Sequence, residues 1–104
     1  MATNYQRGYA FENKIVNFFR GKGFFAVRTA GSHTPVDVIA WDEDSFYLIQ
    51  AKAGKMGKSE ILAAMGALIA CVISPPLRNF DSLHREVWVK GDGRQGDWFT
   101  RYEA

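Results

Sequence analysis

A single cysteine, two histidines and three prolines in 104 residues exclude several classes of protein at once. Cys71 alone cannot close an internal disulfide or build a multi-cysteine zinc site, so a reducing cytoplasm fits best. The opening Met1-Ala2-Thr3-Asn4-Tyr5 has no basic-then-apolar signal pattern. The longest apolar run, residues 61–73, falls short of the ~20 residues that span a bilayer and reads as a buried helix, so no membrane partner is expected. No repeat and no linker interrupts the chain. What is present is a composition 47% apolar and 14% aromatic, which excludes a disordered chain and predicts one compact domain over residues 1–104.

Net charge is only +2, but its distribution is uneven. Arg7, Lys14, Arg20, Lys22 and Arg28 stand against Glu12 in the first third, and acids then concentrate at Asp37 and Asp42-Glu43-Asp44. Lys52, Lys55, Lys58 and Arg78 follow, against Glu60. Two basic stretches around a small acidic centre suit a polyanion that also meets a cation; an ordinary solvated surface accounts for the same pattern.

The periodicity predicts an order α-β-β-β-α-β-β. A helix over 4–22 presents Phe11, Ile15, Phe18 and Phe19 on one arc, extended by Val16, Tyr5 and Tyr9, and stops at Gly21-Lys22-Gly23. Glu12 projects inside that arc, where an unpaired carboxylate is costly. It is either a buried salt bridge, to Arg28 or Lys52, or a catalytic acid. Strands follow over 24–30, 36–41 and 46–53. Ser59 is placed to cap a helix over 60–71, rich in Ala63, Ala64, Gly66, Ala67 and Ala70, which permit close packing on a sheet or a second subunit. Ser74-Pro75-Pro76 ends it, and strands over 86–90 and 98–102 flank the Gly91-Asp92-Gly93 turn.

The second and third strands carry the chemistry. Joined by a short acidic turn, they are expected to set Trp41 opposite Phe46, Ile39 opposite Leu48 and Asp37 opposite Gln50, all on one face with Lys52 next in line. A carboxylate, an amide oxygen and an ammonium ending an apolar face suit a divalent cation and a phosphate. Lys52, flanked by Ala51 and Ala53, would be costly in a plain core and useful beside a scissile phosphate. Other features point less far. Gly54-Lys55-Met56-Gly57-Lys58-Ser59 has too few residues between its glycines for a nucleotide loop and reads as a basic loop near phosphate. His33 has no companion for zinc and is either a mobile loop residue or a phosphate contact. Cys71 reads as a small buried hydrophobe, and Trp88 and Trp98 as core.

Together, Gly8-Tyr9-Ala10-Phe11-Glu12, residues 23–28, Gly31-Ser32, Pro35-Val36-Asp37-Val38-Ile39-Ala40 and Ile49-Gln50-Ala51-Lys52 resemble the PD-(D/E)XK nuclease superfamily, and within it the archaeal-type Holliday junction resolvases. The resemblance covers residues 7–53. It implies a restriction-endonuclease-like α/β domain, a mixed sheet flanked by helices, and a homodimer that nicks two opposed strands of a four-way DNA junction with Mg²⁺, Mn²⁺ substituting. It implies Glu12, Asp37 and Gln50 as metal ligands, Lys52 as the catalytic lysine, and Arg28 and Ser32 as backbone contacts; His33, Lys55 and Lys58 join them as DNA-binding candidates from the reading of their own loops. Two positions depart from the family pattern: Gln50 stands where an acid is usual, and Asn13 where an arginine often follows the glutamate. Cytoplasmic location is expected, nucleoid-associated or virus-encoded. An endonuclease of ordinary duplex DNA, or a DNA-binding module that has lost its metal, shares the same fold and residues.

Overall fold

The computed structural model describes residues 4–29, 34–70, 82–91 and 98–104, with side chains from Gly8 onward in the first of these. Among the described residues, seven elements run in the expected order: α1 (Asn4–Gly21), β1 (Phe25–Arg28), β2 (Val38–Trp41), β3 (Ser45–Lys52), α2 (Lys58–Ala70), β4 (Ser82–Lys90) and β5 (Phe99–Glu103). The strands form one mixed sheet in the order β1-β2-β3-β4-β5. β1, β2 and β3 are an antiparallel meander, β4 joins β3 in parallel, and β5 returns antiparallel to β4. A parallel neighbour needs a crossover, and α2 lies in the β3–β4 connection.

Helices α1 and α2 build unequal cores. Under α1, Phe11, Ile15, Val16 and Phe19 bury against Ala26, Val38, Ala40, Ile49 and Trp88, with Phe18, Phe24, Tyr47, Trp98 and Phe99 packed around them. Trp88 is fully buried and Trp98 packs beside it, so both belong to the core as expected. Gly23 takes the left-handed conformation after α1 (φ +88°), and the Lys22 and Gly23 amides close onto the Phe19 and Arg20 carbonyls. On the other side, only Ala64 and Leu68 of α2 are buried, against Val36, Leu48 and Val87.

Three expectations are corrected. Helix α2 is not buried all round: Leu62 and Ile69 are 57% and 60% exposed, because one helix on one sheet face can bury only one stripe. Ser59 does not cap it. The helix begins at Lys58, the Gly57 carbonyl accepts from the Ile61 amide, and Ser59 sits within the first turn. Strand β4 begins four residues earlier than its apolar run suggested, because Ser82–Arg85 pair in parallel with Ser45–Leu48, where the hydroxyls of Ser45 and Ser82 meet at 3.1 Å. Residues 71–81, with Cys71 and the Pro75-Pro76 stop, lie outside the described residues, as do 92–97 in the β4–β5 turn.

Candidate active site

The β2–β3 pairing follows the expected register from Trp41–Phe46 through Ile39–Leu48 to Val38–Ile49, and changes there. The Asp37 amide also donates to the Ile49 carbonyl, at 2.8 Å, so Asp37 and Val38 together face one residue. Val36 accordingly lies in the α2-side core and Val38 in the α1-side core, which an unbroken strand would not allow two residues apart. The effect of this bulge is to carry Asp37 out of direct opposition to Gln50. Its carboxylate Oδ2 turns to the end of the ladder and accepts from the Ala51 amide at 2.9 Å.

Groups from both faces of the sheet meet at this bulge. Glu12 comes from α1, and its Oε1 accepts from Arg28 Nε at 3.0 Å; both side chains are just over four-fifths buried. Of the two readings left open for Glu12, the ion pair is realised, with Arg28 as the partner. The Arg28 guanidinium also lies 4.1 Å from the Tyr9 ring centroid. Tyr9, expected on the apolar arc, is 45% exposed and covers this pair instead. By strand parity Gln50 and Lys52 project on the α2 side, where their β4 partners Val87 and Val89 pack.

Burial is the largest influence on Asp37 and pushes its carboxyl above the ordinary value. The Ala51 amide pulls it down, Glu12 pushes it further up, and Lys52 and Arg28 pull it down. Those mutual influences tie Glu12, Arg28, Asp37 and Lys52 into one electrostatic unit. Gln50 adds an unusual feature. Its Oε1 is buried and has no hydrogen-bond partner, a condition that ordinarily costs about 1–3 kcal/mol. An orphaned carbonyl oxygen next in sequence to Ala51, whose amide holds the Asp37 carboxylate, fits a hard divalent cation, which takes amide oxygens as well as carboxylates.

Of the remaining expected contacts, Lys55 and Lys58 are exposed on the segment that leads from β3 into α2. Ser32 and His33 lie outside the described residues. Some of the basic residues in the N-terminal third serve the fold: Arg20 donates to the Ala26 carbonyl at 3.2 and 3.0 Å, and Lys14 and Lys22 lie over Trp98 and Phe18. Sequence reasoning missed Tyr9 as the cover of Arg28. Its position one helical turn before Glu12 carried the signal. The Ala51 amide was also missed, and a backbone donor leaves no signal in side-chain patterning.

Residues 3–62 match the family model described as archaeal Holliday junction resolvase (Hjc). That span is more than half the chain and contains every candidate residue from Glu12 to Lys58. The chain belongs to the archaeal Holliday junction resolvase family. It is a nuclease of the structure-specific, junction-acting class. Its fold is also similar to that of Hjc from Archaeoglobus fulgidus, a Holliday junction resolvase from an archaeal hyperthermophile, with a TM-score of 0.61 and 22% identity over 93% of this chain and 72% of that one. No curated protein sequence matches it.

Proposed function

We propose that this resolvase cleaves phosphodiesters at the Glu12–Asp37–Gln50–Lys52 cluster with a divalent cation, Mg²⁺ in the cell and Mn²⁺ as a substitute. The single observation that carries the reading is the buried, unpartnered Gln50 Oε1 at the end of β3, two residues before Lys52 and next to Ala51, whose amide holds Asp37. Glu12, Asp37 and Gln50 would hold the ion, which supplies charge to the scissile phosphate and lowers the pKa of bound water. Lys52 offsets the negative charge that grows on the phosphate oxygens as water attacks phosphorus, and helps orient that water. Arg28 neutralises Glu12 while the site is free of DNA. A phosphate arriving beside Arg28 competes for the guanidinium and releases Glu12 toward the cation, so DNA and metal should bind cooperatively. Lys55 and Lys58 extend the phosphate track along the segment that enters α2.

Two such sites are needed for paired nicking, and the exposed apolar stripe of α2 supports a homodimer. Leu62 and Ile69 stand in water beside exposed Ala63, Gly66, Ala67 and Ala70, small residues that let a second backbone approach. The deciding experiment incubates the protein with labelled four-way junction, matched duplex and single strand, with Mg²⁺ or with EDTA. Symmetric nicks in the junction that vanish in EDTA are expected. Equal cutting of duplex would favour an ordinary duplex endonuclease, and binding without cutting a module whose catalysis is lost.

A further inference from the structure

On the side of the sheet that carries α2, the helix packs over β3, β4 and β5, while β1 and β2 carry an apolar surface at the far edge. Phe25 is 56% exposed there and stacks on Trp41 at 4.4 Å between centroids, with planes 29° apart. Trp41 in turn lies parallel to Phe46, at 5.8 Å and 6°. Three strands thus present a row of near-parallel rings. The part of the Phe25 ring that stays in water gains nothing on folding.

The row ends at the β2–β3 turn, Asp42-Glu43-Asp44. Asp42 Oδ1 accepts from the Asp44 and Ser45 amides at 2.9 and 2.8 Å, which fixes the turn. Among the described residues, no ion pair reaches any of the three carboxylates. Rings and turn together border an open cavity of about 420 Å³ lined by Gly23, Phe25, Trp41, Asp42 and Glu43. Gly23, without a side chain, keeps one wall low.

We propose that this cavity receives a lysine or arginine side chain from a basic segment of a partner protein. A π face attracts a cation through the quadrupole of the ring, and unpaired carboxylates alongside add ion pairing and orientation. The same carboxylates repel a phosphate backbone, so the DNA substrate is the wrong occupant. The cavity lies at the end of β2 away from Asp37, so a partner seated there leaves the bulge end of the sheet open. The docking site is independent of the reaction proposed above.

The test is a titration of ¹⁵N-labelled protein with a short blocked peptide of arginine, lysine and glycine, followed through the Trp41 indole and Gly23 amide signals. A peptide of the same length carrying glutamate and aspartate is the control. Saturable shifts with the basic peptide alone are expected, with affinity falling about tenfold in Phe25→Ala and in Glu43→Lys. Both variants should nick junctions as the native protein does, since neither touches the bulge. The proposal is overturned if the acidic peptide moves the same signals, or if Phe25→Ala and Glu43→Lys bind the basic peptide undiminished. It is equally overturned if the signals move with protein concentration alone, which would give this face to a second copy, or if they move only with junction DNA.

Discussion

Two clusters of charged side chains occupy this sheet, and they differ in how completely their atoms are satisfied. His84, Glu86 and Glu103 bring three ligand-type atoms within 4.8 Å, a spacing that would admit a cation. Yet Glu86 already accepts from Arg101 with both oxygens, at 2.9 and 3.0 Å, and from Trp88 Nε1 at 2.9 Å. His84 meets Glu103 at 2.7 Å and Ser82 at 3.2 Å, with its ring stacked on Tyr47. Every group there has found a partner, which is what a structural network requires. At the bulge, Glu12 shares Arg28, Asp37 is held above its ordinary pKa, and the Gln50 oxygen has nothing. Ligand spacing alone favours the first cluster; unspent hydrogen-bonding capacity favours the second.

The sharpest way to break this comparison is to mutate both clusters and measure cleavage. Asp37→Asn and Lys52→Ala should each lower junction nicking by about a thousandfold while the protein still binds DNA. His84→Ala and Glu103→Gln should leave the rate within about twofold, since they are expected to touch neither phosphate nor metal. The reverse result, nicking by Asp37→Asn and none by His84→Ala, would move the metal centre to β4 and β5.

Stability should show the opposite ranking. Glu86→Ala strips Arg101 and the buried Trp88 N–H of their acceptor, and about 2–3 kcal/mol should be lost in urea unfolding, the partial exposure of Arg101 reducing the larger cost of a fully buried pair. Asp37→Asn should instead raise stability slightly at neutral pH in EDTA. A raised folded-state pKa means the fold favours the protonated acid: its contribution is complete below the ordinary carboxyl range and disappears as pH rises through the raised value. The ionised form is then a cost, which the amide removes while it can still accept from Ala51. The advantage of Asp37→Asn should therefore shrink as pH falls, and an advantage that grows toward acid would contradict the burial of Asp37.

The same contrast explains what the sequence disclosed. Element order, the Trp41–Phe46 register and the grouping of Glu12, Asp37 and Lys52 were legible because they rest on periodicity, parity and charge in an apolar setting. The bulge at Asp37 was not, because one extra residue in a strand leaves alternation intact on either side of it. Lys58 rather than Ser59 opens α2, since a glycine before a helix competes with serine as a cap and local composition does not rank them. The Glu86–Arg101–Trp88 network could have been found: Glu86 precedes Trp88 by two residues and must share its buried face, which obliges a partner from the neighbouring strand. Ser32 and His33 remain expectations drawn from sequence.

A second copy on α2 is a smaller test of the same idea, that unspent surface marks function. Leu62→Glu should shift a micromolar sample from dimer toward monomer by sedimentation and lose the pairing of nicks before it loses nicking itself. A monomeric native protein that still cuts both opposed strands in one encounter would remove α2 from the site's requirements.

The smallest expected effect is at Gln50, and it separates the two clusters most finely. In the proposed site a neutral amide would give the cation a carbonyl oxygen but one less unit of negative charge than the acid usual in the family, and Mg²⁺ favours charged oxygen. In metal-free buffer Gln50→Glu should be slightly destabilised, because it sets a carboxylate where the buried Gln50 oxygen already has no donor. With metal, the same variant should reach half-maximal cleavage at roughly several-fold lower Mg²⁺. A native protein that binds junctions without cutting, and a Gln50→Glu variant that cuts, would mean that the missing charge had switched catalysis off. If Gln50→Glu abolishes an activity the native protein has, the amide serves as a donor through its nitrogen, to a water or a phosphate oxygen, and Gln50 is no metal ligand.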